Sequence, residues 1–229
     1  MLKLNPTSGG RWRFVLQAIV FANGEFVPPA DLNARLATAD LIIAADGGSQ
    51  HCRALGLSPD VIIGDLDSLE RGARADWEAQ GVHLISHLPE KDQTDFELAL
   101  LHAKSTGVEN ITVFGALGRR WDHSFANLLL AAQSQFDGFK ILFLHGEQRL
   151  LVIKGRSSPD ARIGERISLL PLGGDAKLVS TRGLKYPLKD ETLFFGSSRG
   201  VSNVVVDDKL EIIVPDGILL CVISPEKYD

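Results

Sequence analysis

The feature that most constrains this chain is a series of short apolar runs without a polar alternate face, at 14–22, 41–45, 61–63, 82–85, 111–114 and 140–144. A strand wetted on one side alternates apolar with polar residues, whereas a strand covered on both sides does not. Helix-like stretches near 29–37, 49–55, 71–80, 95–104 and 123–135 separate these runs. The fourth is the best signalled. Thr94 and Glu97 form a capping box, Phe96, Ala99, Leu100 and Ala103 make an apolar stripe, and Gly107 can end the helix. Strand alternating with helix predicts an α/β fold with a doubly wound, mostly parallel sheet.

After Gly146 the helical period is lost. Gly, Pro and Asp punctuate short β-like runs at 150–153, 166–170, 177–180, 193–195, 203–206, 210–214 and 218–223. Short strands with frequent turns predict a small all-β sandwich or barrel. The boundary falls between His145 and Leu150, giving domains of residues 1–146 and 147–229.

A chain of 229 residues can bury a core in one or two domains, and its net charge of −5 argues against a broad nucleic-acid footprint. Cys52 and Cys221 lie far apart in apolar contexts and read as buried thiols in a reducing compartment. No apolar run reaches the length of a membrane span. Arg11 and Arg13 precede the first run as in a signal peptide. However, Gln17 interrupts it and no small-residue cleavage site follows, so a buried strand in a cytoplasmic protein is expected.

The polar residues of the first domain gather just after its strands. They form Asp46-Gly47-Gly48, Gly64-Asp65-Leu66-Asp67-Ser68, Lys91-Asp92-Gln93-Thr94-Asp95, and the stretch from Gly115 to His123. Loops at the carboxyl ends of parallel strands converge on one crevice. In an extended segment Asp65 and Asp67 point to the same side and reach one cation. Asp92 and Asp95 open a helix, whose dipole favours negative charge. Without a cation, each close contact between converging carboxylates would cost roughly 3 kcal/mol at about 5 Å and an effective dielectric near 20. Hard oxygen donors with no His or Cys beside them favour Mg²⁺, an ion usually shared with substrate phosphates. One of Arg119 and Arg120 supplies positive charge for a phosphate, the other reading as a solvated loop residue, and the glycines beside them allow close backbone approach. His123 reads as a helix cap before a residue that orients a ligand, and Trp121 as packing before stacking. No P-loop pattern occurs. The residues therefore point to a Mg²⁺ enzyme acting on the phosphates of a nucleoside triphosphate.

These segments resemble the thiamine pyrophosphokinase (thiamin diphosphokinase) family. The resemblance lies in Ala45-Asp46-Gly47-Gly48, the block from Pro59 to Ser68, Lys91-Asp92-Gln93-Thr94-Asp95, and Gly118-Arg119-Arg120-Trp121-Asp122-His123. Gly200-Val201-Ser202-Asn203 matches more weakly. The resemblance implies a nucleotide-binding α/β domain, a β-sandwich, and a homodimer whose active sites use the partner's sandwich. It implies transfer of the diphosphate of ATP to the hydroxyl of thiamine, with AMP released. Carried onto this sequence, it makes Asp65, Asp67 and Asp95 the Mg²⁺ ligands. Asp92 supports a ligand or accepts the hydroxyl proton, and Lys91 or Arg120 stabilises the transferring diphosphate. Asp46 and Asp122 orient ATP, with Gly47 and Gly48 allowing close approach, and Thr94 caps its helix or contacts a phosphate. Ser202 and Asn203 are the expected thiamine contacts.

One departure concerns the last strand. Some members stack the thiamine pyrimidine on a tryptophan there, whereas this chain has Ile218-Leu219-Leu220-Cys221, and Trp12, Trp77 and Trp121 all lie in the first domain. Competing readings are a pyrophosphokinase for a pterin alcohol, a Mg²⁺-dependent phosphohydrolase built on Asp65-Leu66-Asp67-Ser68, and a non-catalytic thiamine or nucleotide sensor.

Overall fold

The computed structural model describes residues 4–6, 12–14, 16–67, 71–88 and 90–226. Chain contacts divide these residues into two units. One comprises residues up to Leu130 with Gly138–Gly146, and the other Ala131–Asp137 with residues from Glu147 onward.

In the first unit, β1 (Leu4–Pro6) and β2 (Trp12–Phe14) form an antiparallel pair. The apolar run expected to begin at Phe14 therefore contributes its start to this pair. Its remainder becomes β3 (Gln17–Phe21), which is buried from Ala18 onward. The other strands are β4 (Leu41–Ala45), β5 (Val61–Gly64), β6 (His83–Ser86), β7 (Asn110–Phe114) and β8 (Lys140–His145). They pair in parallel in the order β8-β7-β3-β4-β5-β6. The chain winds outward in one direction from β3 through β6 and then returns to β7 on its other side. The switch point of this doubly wound sheet lies between β3 and β7.

The helices are α1 (Leu32–Leu36), α2 (Gly48–Ala54), α3 (Arg71–Ala79), α4 (Asp95–Ser105) and α5 (Trp121–Leu130). Leu32, Cys52 and Trp77 of the first three pack in one cluster with Phe21, Ala44, Ile62 and Phe114. On α4 the expected stripe of Phe96, Ala99, Leu100 and Ala103 is buried, and the Thr94 side chain accepts a hydrogen bond from the Glu97 N–H at 3.2 Å. Gly107 follows at φ +81°, the left-handed geometry that stops helices. Helix α5 ends earlier than its apolar pattern suggests, at Leu130.

The second unit contains β9 (Gln148–Ser157), β10 (Arg166–Pro171), β11 (Ala176–Arg182), β12 (Glu191–Leu193), β13 (Asn203–Val204) and β14 (Glu211–Ser224). All its pairings are antiparallel. Ile153, Ile167, Leu169, Val179, Leu193 and Ile212 belong to its own core. The runs at 210–214 and 218–223 were expected as separate strands, yet they are the two halves of β14. Pro215-Asp216-Gly217 reads as a turn but forms an irregularity within the strand. Ile212–Val214 pairs with one stretch of β9 and Leu219–Ile223 with another, and the register shifts between them. Gly217 sits at φ +110°, where a Cβ would press on the Asp175 carbonyl, so only glycine keeps the strand continuous there.

Candidate active site

A cleft of about 500 Å³ opens where the carboxyl ends of β3, β4, β5 and β7 meet, at the switch point. Its wall includes Asn23 and Gly24 after β3, Asp46 after β4 and Asp65 after β5. Lys91, Gln93, Thr94 and Asp95 enter it at the start of α4. Gly115, Ala116, Gly118, Arg119 and Arg120 enter after β7, with His123 and Asn127 from α5.

The acids are assembled by backbone geometry. Asp46 takes φ +44°, a left-handed value uncommon for a residue with a side chain. A Cβ on Gly64 would meet that of Asp46 at 3.0 Å, so the bare glycine at the end of β5 makes room for it. The expectation that Asp65 and Asp67 share one side of an extended segment is corrected here. Leu66 adopts φ +60° and is only 8% exposed, so it anchors a turn in the core. The Asp67 N–H donates to Oδ1 of Asp65 at 3.2 Å across that turn. Proximity therefore comes from a pinned turn and not from strand alternation. Carboxylate oxygens of Asp46, Asp65 and Asp67 lie within 4.8 Å of one another, an all-oxygen donor set suited to a hard divalent ion. Asp46, expected to orient ATP, is thus the third member of the acidic group. Asp95, expected as a ligand, lines the same cleft with its Oδ1 2.7 Å from Nζ of Lys91. Ser68 lies outside the described residues.

The glycines after β4 work differently from the expected close approach to a ligand. A Cβ on Gly48 would overlap the Phe21 carbonyl, and one on Gly47 would overlap the Asn23 side chain. Neither lines the cleft; both let α2 start hard against the end of β3.

The loops after β3 and β7 are joined by their backbones. The N–H groups of Ala22, Gly24 and Glu25 donate to the carbonyls of Phe114, Gly115 and Leu117 at 2.8, 2.5 and 2.9 Å. His51 supports this junction from α2, donating from Nε2 to the Gly24 carbonyl at 3.1 Å. Burial lowers the His51 pKa below its ordinary 6.5 and the charge of Arg119 adds to that shift, while the bond to Gly24 works against it. A neutral imidazole protonated at Nε2 satisfies both conditions.

Arg120, on the cleft wall, is held by Asp122 through contacts of 2.5 and 3.2 Å. Asp122 raises the Arg120 pKa, and Arg120 lowers that of Asp122. Neither Asp122 nor Asp92 is on the wall, and both are exposed. Trp121, expected as packing, is 84% exposed on α5, because the inward positions there belong to Ser124, Asn127 and Leu128. His123, expected as a cap, reaches the cleft wall.

The second unit alters the picture of the expected thiamine contacts. Asn203 donates from Nδ2 to the Tyr186 carbonyl at 2.7 Å and accepts from the Tyr186 N–H at 3.1 Å, so its amide clamps a loop. Ser202, at φ +61°, donates its N–H to Oγ of Ser168 at 3.1 Å. Asn203 borders a small depression of about 190 Å³ with Tyr186, Arg199 and Val201. Of the aliphatic segment on β14, Leu219 and Cys221 are fully buried in the unit's core. Among the described residues, Tyr186, Phe194 and Phe195 are its exposed aromatic residues. Asn23 and Asn127 were missed by the sequence reading. The post-strand position of Asn23 was a usable signal, whereas Asn127 sits mid-helix and had none.

Both units match known protein domains. Residues 32–143 match the thiamin pyrophosphokinase catalytic domain and residues 153–219 the thiamin pyrophosphokinase vitamin B1 binding domain. A thiamine pyrophosphokinase of Bacillus subtilis (strain 168) is 28% identical over 188 residues, covering 81% of this chain and 88% of the relative. Thiamine pyrophosphokinase 1 of Arabidopsis thaliana is 27% identical over 74% of this chain and 66% of its own length. The crystal structure of the B. subtilis thiamine pyrophosphokinase superposes with a TM-score of 0.79 at 27% identity, over 92% of this chain and 100% of that one. Yeast thiamin pyrophosphokinase, 20% identical, has the same fold with a TM-score of 0.75. With a cleft at the switch point, an acidic group within it and both domain matches in order along the sequence, the chain belongs to the thiamin pyrophosphokinase family.

Proposed function

We propose that the chain transfers the diphosphate of ATP to the hydroxyl of thiamine, giving thiamine diphosphate and AMP. The observation that carries this reading is the meeting of Asp46 and Asp65 with Lys91 and the arginine-bearing loop around one cleft, with Asp67 grouped against the two acids. The thiamine oxygen attacks the β-phosphorus of ATP, the bond from that phosphorus to the oxygen bridging it to the α-phosphorus breaks, and AMP leaves with that oxygen. Such transfer depends on alignment and charge neutralisation more than on covalent catalysis. Asp46, Asp65 and Asp67 would hold Mg²⁺, which would supply positive charge to phosphate oxygens when bound. Lys91 and Arg120 bring cationic donors to the diphosphate, and the Lys91–Asp95 pair fixes the first of them. Thr94, whose hydroxyl oxygen caps α4, sets the start of that helix against the cleft. Asp92, exposed between Lys91 and Gln93 of the cleft wall in sequence, accepts the hydroxyl proton.

The enzyme acts as a homodimer with active sites at the subunit interface. Exposed apolar residues support this: Trp121, Phe125 and Leu129 follow one another at every fourth position along α5, and Phe194 and Phe195 are exposed in the second unit. Among the described residues no helix is long and apolar enough to cross a membrane. Its two cysteines are buried and unpaired, which suits a reducing cytoplasm.

The test is AMP release from ATP and Mg²⁺ with thiamine or with a hydroxymethyl-dihydropterin. Turnover with thiamine is expected, and turnover with the pterin alone would overturn the assignment. Sedimentation is expected to show a dimer, and a fully active monomer at high dilution would remove the interface model.

A further inference from the structure

Every backbone carbonyl from Phe114 to Gly118 accepts a hydrogen bond from a donor of the chain itself. Ala22, Gly24 and Glu25 take those of Phe114, Gly115 and Leu117 through backbone N–H groups, and Gly118 is taken by the Arg120 N–H at 2.6 Å and Oγ of Ser124 at 3.3 Å. The Ala116 carbonyl differs in being held by a side chain without a backbone N–H beside it. Its partner is a side chain, Nδ2 of Asn127, at 2.8 Å and eleven residues away. Asn127 is 8% exposed, Ala116 is 4% exposed, and both lie on the cleft wall.

A carbonyl oxygen is the negative end of a peptide dipole. Left unbonded at the wall of a site for a polyphosphate, it would repel the ligand and carry its own desolvation cost. Ser124 adds a second tie, its one Oγ–H shared between the Arg120 carbonyl at 3.0 Å and that of Gly118 at 3.3 Å. The inner face of α5 thus fastens the loop that carries Arg119 and Arg120. Nothing in the helical pattern requires a polar residue at position 127, where an apolar one would pack more cheaply.

We infer that Asn127 is a positioning residue for the nucleotide. By holding the Ala116 carbonyl, it fixes the Gly115–Arg120 loop in the form that accepts a triphosphate, with Ser124 as its weaker second tie. This inference rests on the proposed use of ATP.

The experiment compares four variants by steady-state kinetics, with fold checked by circular dichroism and thermal melting. Asn127→Asp keeps the shape but loses the donor, and Asn127→Ala loses both. Leu128→Ala, a neighbour 9% exposed, removes core volume and leaves the hydrogen bond from Asn127 to Ala116 in place. Ser124→Ala removes the weaker tie. Both Asn127 variants are expected to raise the KM for ATP at least tenfold while the KM for thiamine stays within twofold. Leu128→Ala is expected to lower the melting temperature and leave the KM for ATP within twofold. An unchanged KM for ATP in a folded Asn127 variant, an equal rise in Leu128→Ala, or a parallel rise for both substrates would overturn the inference. Should neither Asn127 variant fold, Ser124→Ala decides: a two- to fivefold rise supports the inference and no rise overturns it. If the wild-type chain releases no AMP with thiamine, the proposed function fails on its own. ATP titrated calorimetrically into the same variants then tests the loop tie separately, with tenfold weaker binding by Asn127→Asp expected and equal binding overturning it.

Discussion

Nζ of Lys91 lies 2.7 Å from Oδ1 of Asp95 inside the cleft, with the two side chains 14% and 26% exposed. The pair spans the N-terminus of α4, so the lysine is held where the helix begins. A pair at this depth contributes about 1 kcal/mol to stability, a small part of a domain's total. Its larger effect is on chemistry. Lys91→Met is expected to lower kcat about 100-fold, the order seen when one donor to a developing charge is lost. Urea unfolding of the same variant should shift by about 1 kcal/mol or less. A collapse of stability that matches the loss of turnover would make Lys91 a purely structural residue.

Asp65→Asn removes one of three carboxylates whose oxygens lie within 4.8 Å of one another. Relief of repulsion is expected to leave the metal-free melting temperature equal to or above that of the parent. Added Mg²⁺ should raise the melting temperature of the parent and not of the variant, because a ligand stabilises only the state that binds it. Turnover is expected to be lost. A variant that still gains stability from Mg²⁺ would remove Asp65 from the metal site.

The lowered His51 pKa has a definite sign in stability. Above pH 6.5 the imidazole is neutral in both folded and unfolded chains, and its contribution is complete. As pH falls through 6.5 the unfolded chain takes the proton first, and stability declines until the pH passes the lower folded value. His102, lowered by burial and then by His83, acts in the same direction. His51→Gln keeps an amide donor for the Gly24 carbonyl but cannot titrate. Melting temperatures measured from pH 7.5 to 5 should fall less steeply in this variant, and an unchanged slope would show that His51 is not the group responsible.

Two glycine-to-alanine changes in helices should have opposite effects. On Gly48 the new methyl would overlap the Phe21 carbonyl, and overpacking against backbone costs about 1–3 kcal/mol. On Gly72 in α3 a Cβ would meet nothing within 4 Å, so alanine's better helix propensity should add about 0.5–1 kcal/mol. Urea midpoints of the two variants should therefore move apart. Movement in the same direction would contradict the packing assigned to Gly48.

The legibility of this fold followed from how each signal arises. Doubly covered strands such as β4 and β5 need unbroken apolar residues, and α4 needs a cap and a stripe, so all were visible as local patterns. The acids were visible because loops after parallel strands converge by topology. The Asp65–Asp67 turn was misread because its cause, Leu66 buried at positive φ, depends on a core contact that the local sequence does not encode. Pro215-Asp216-Gly217 was misread for a similar reason: a turn composition is tolerated within β14 where neighbouring strands hold both halves. Asn127 gave no signal at all, since its partner at Ala116 is fixed only once α5 has packed.

The backbone junction between the loops after β3 and β7 has a consequence for exchange with solvent. Three donors of one loop close on three carbonyls of the other, so neither can open alone without leaving polar groups stranded. The amides of Ala22, Gly24 and Glu25 should therefore exchange their hydrogens as one cooperative group. A nucleotide that touches only the Gly115–Arg120 loop would then slow exchange at residues 22–25 as well, making the first loop a reporter of occupancy at the second.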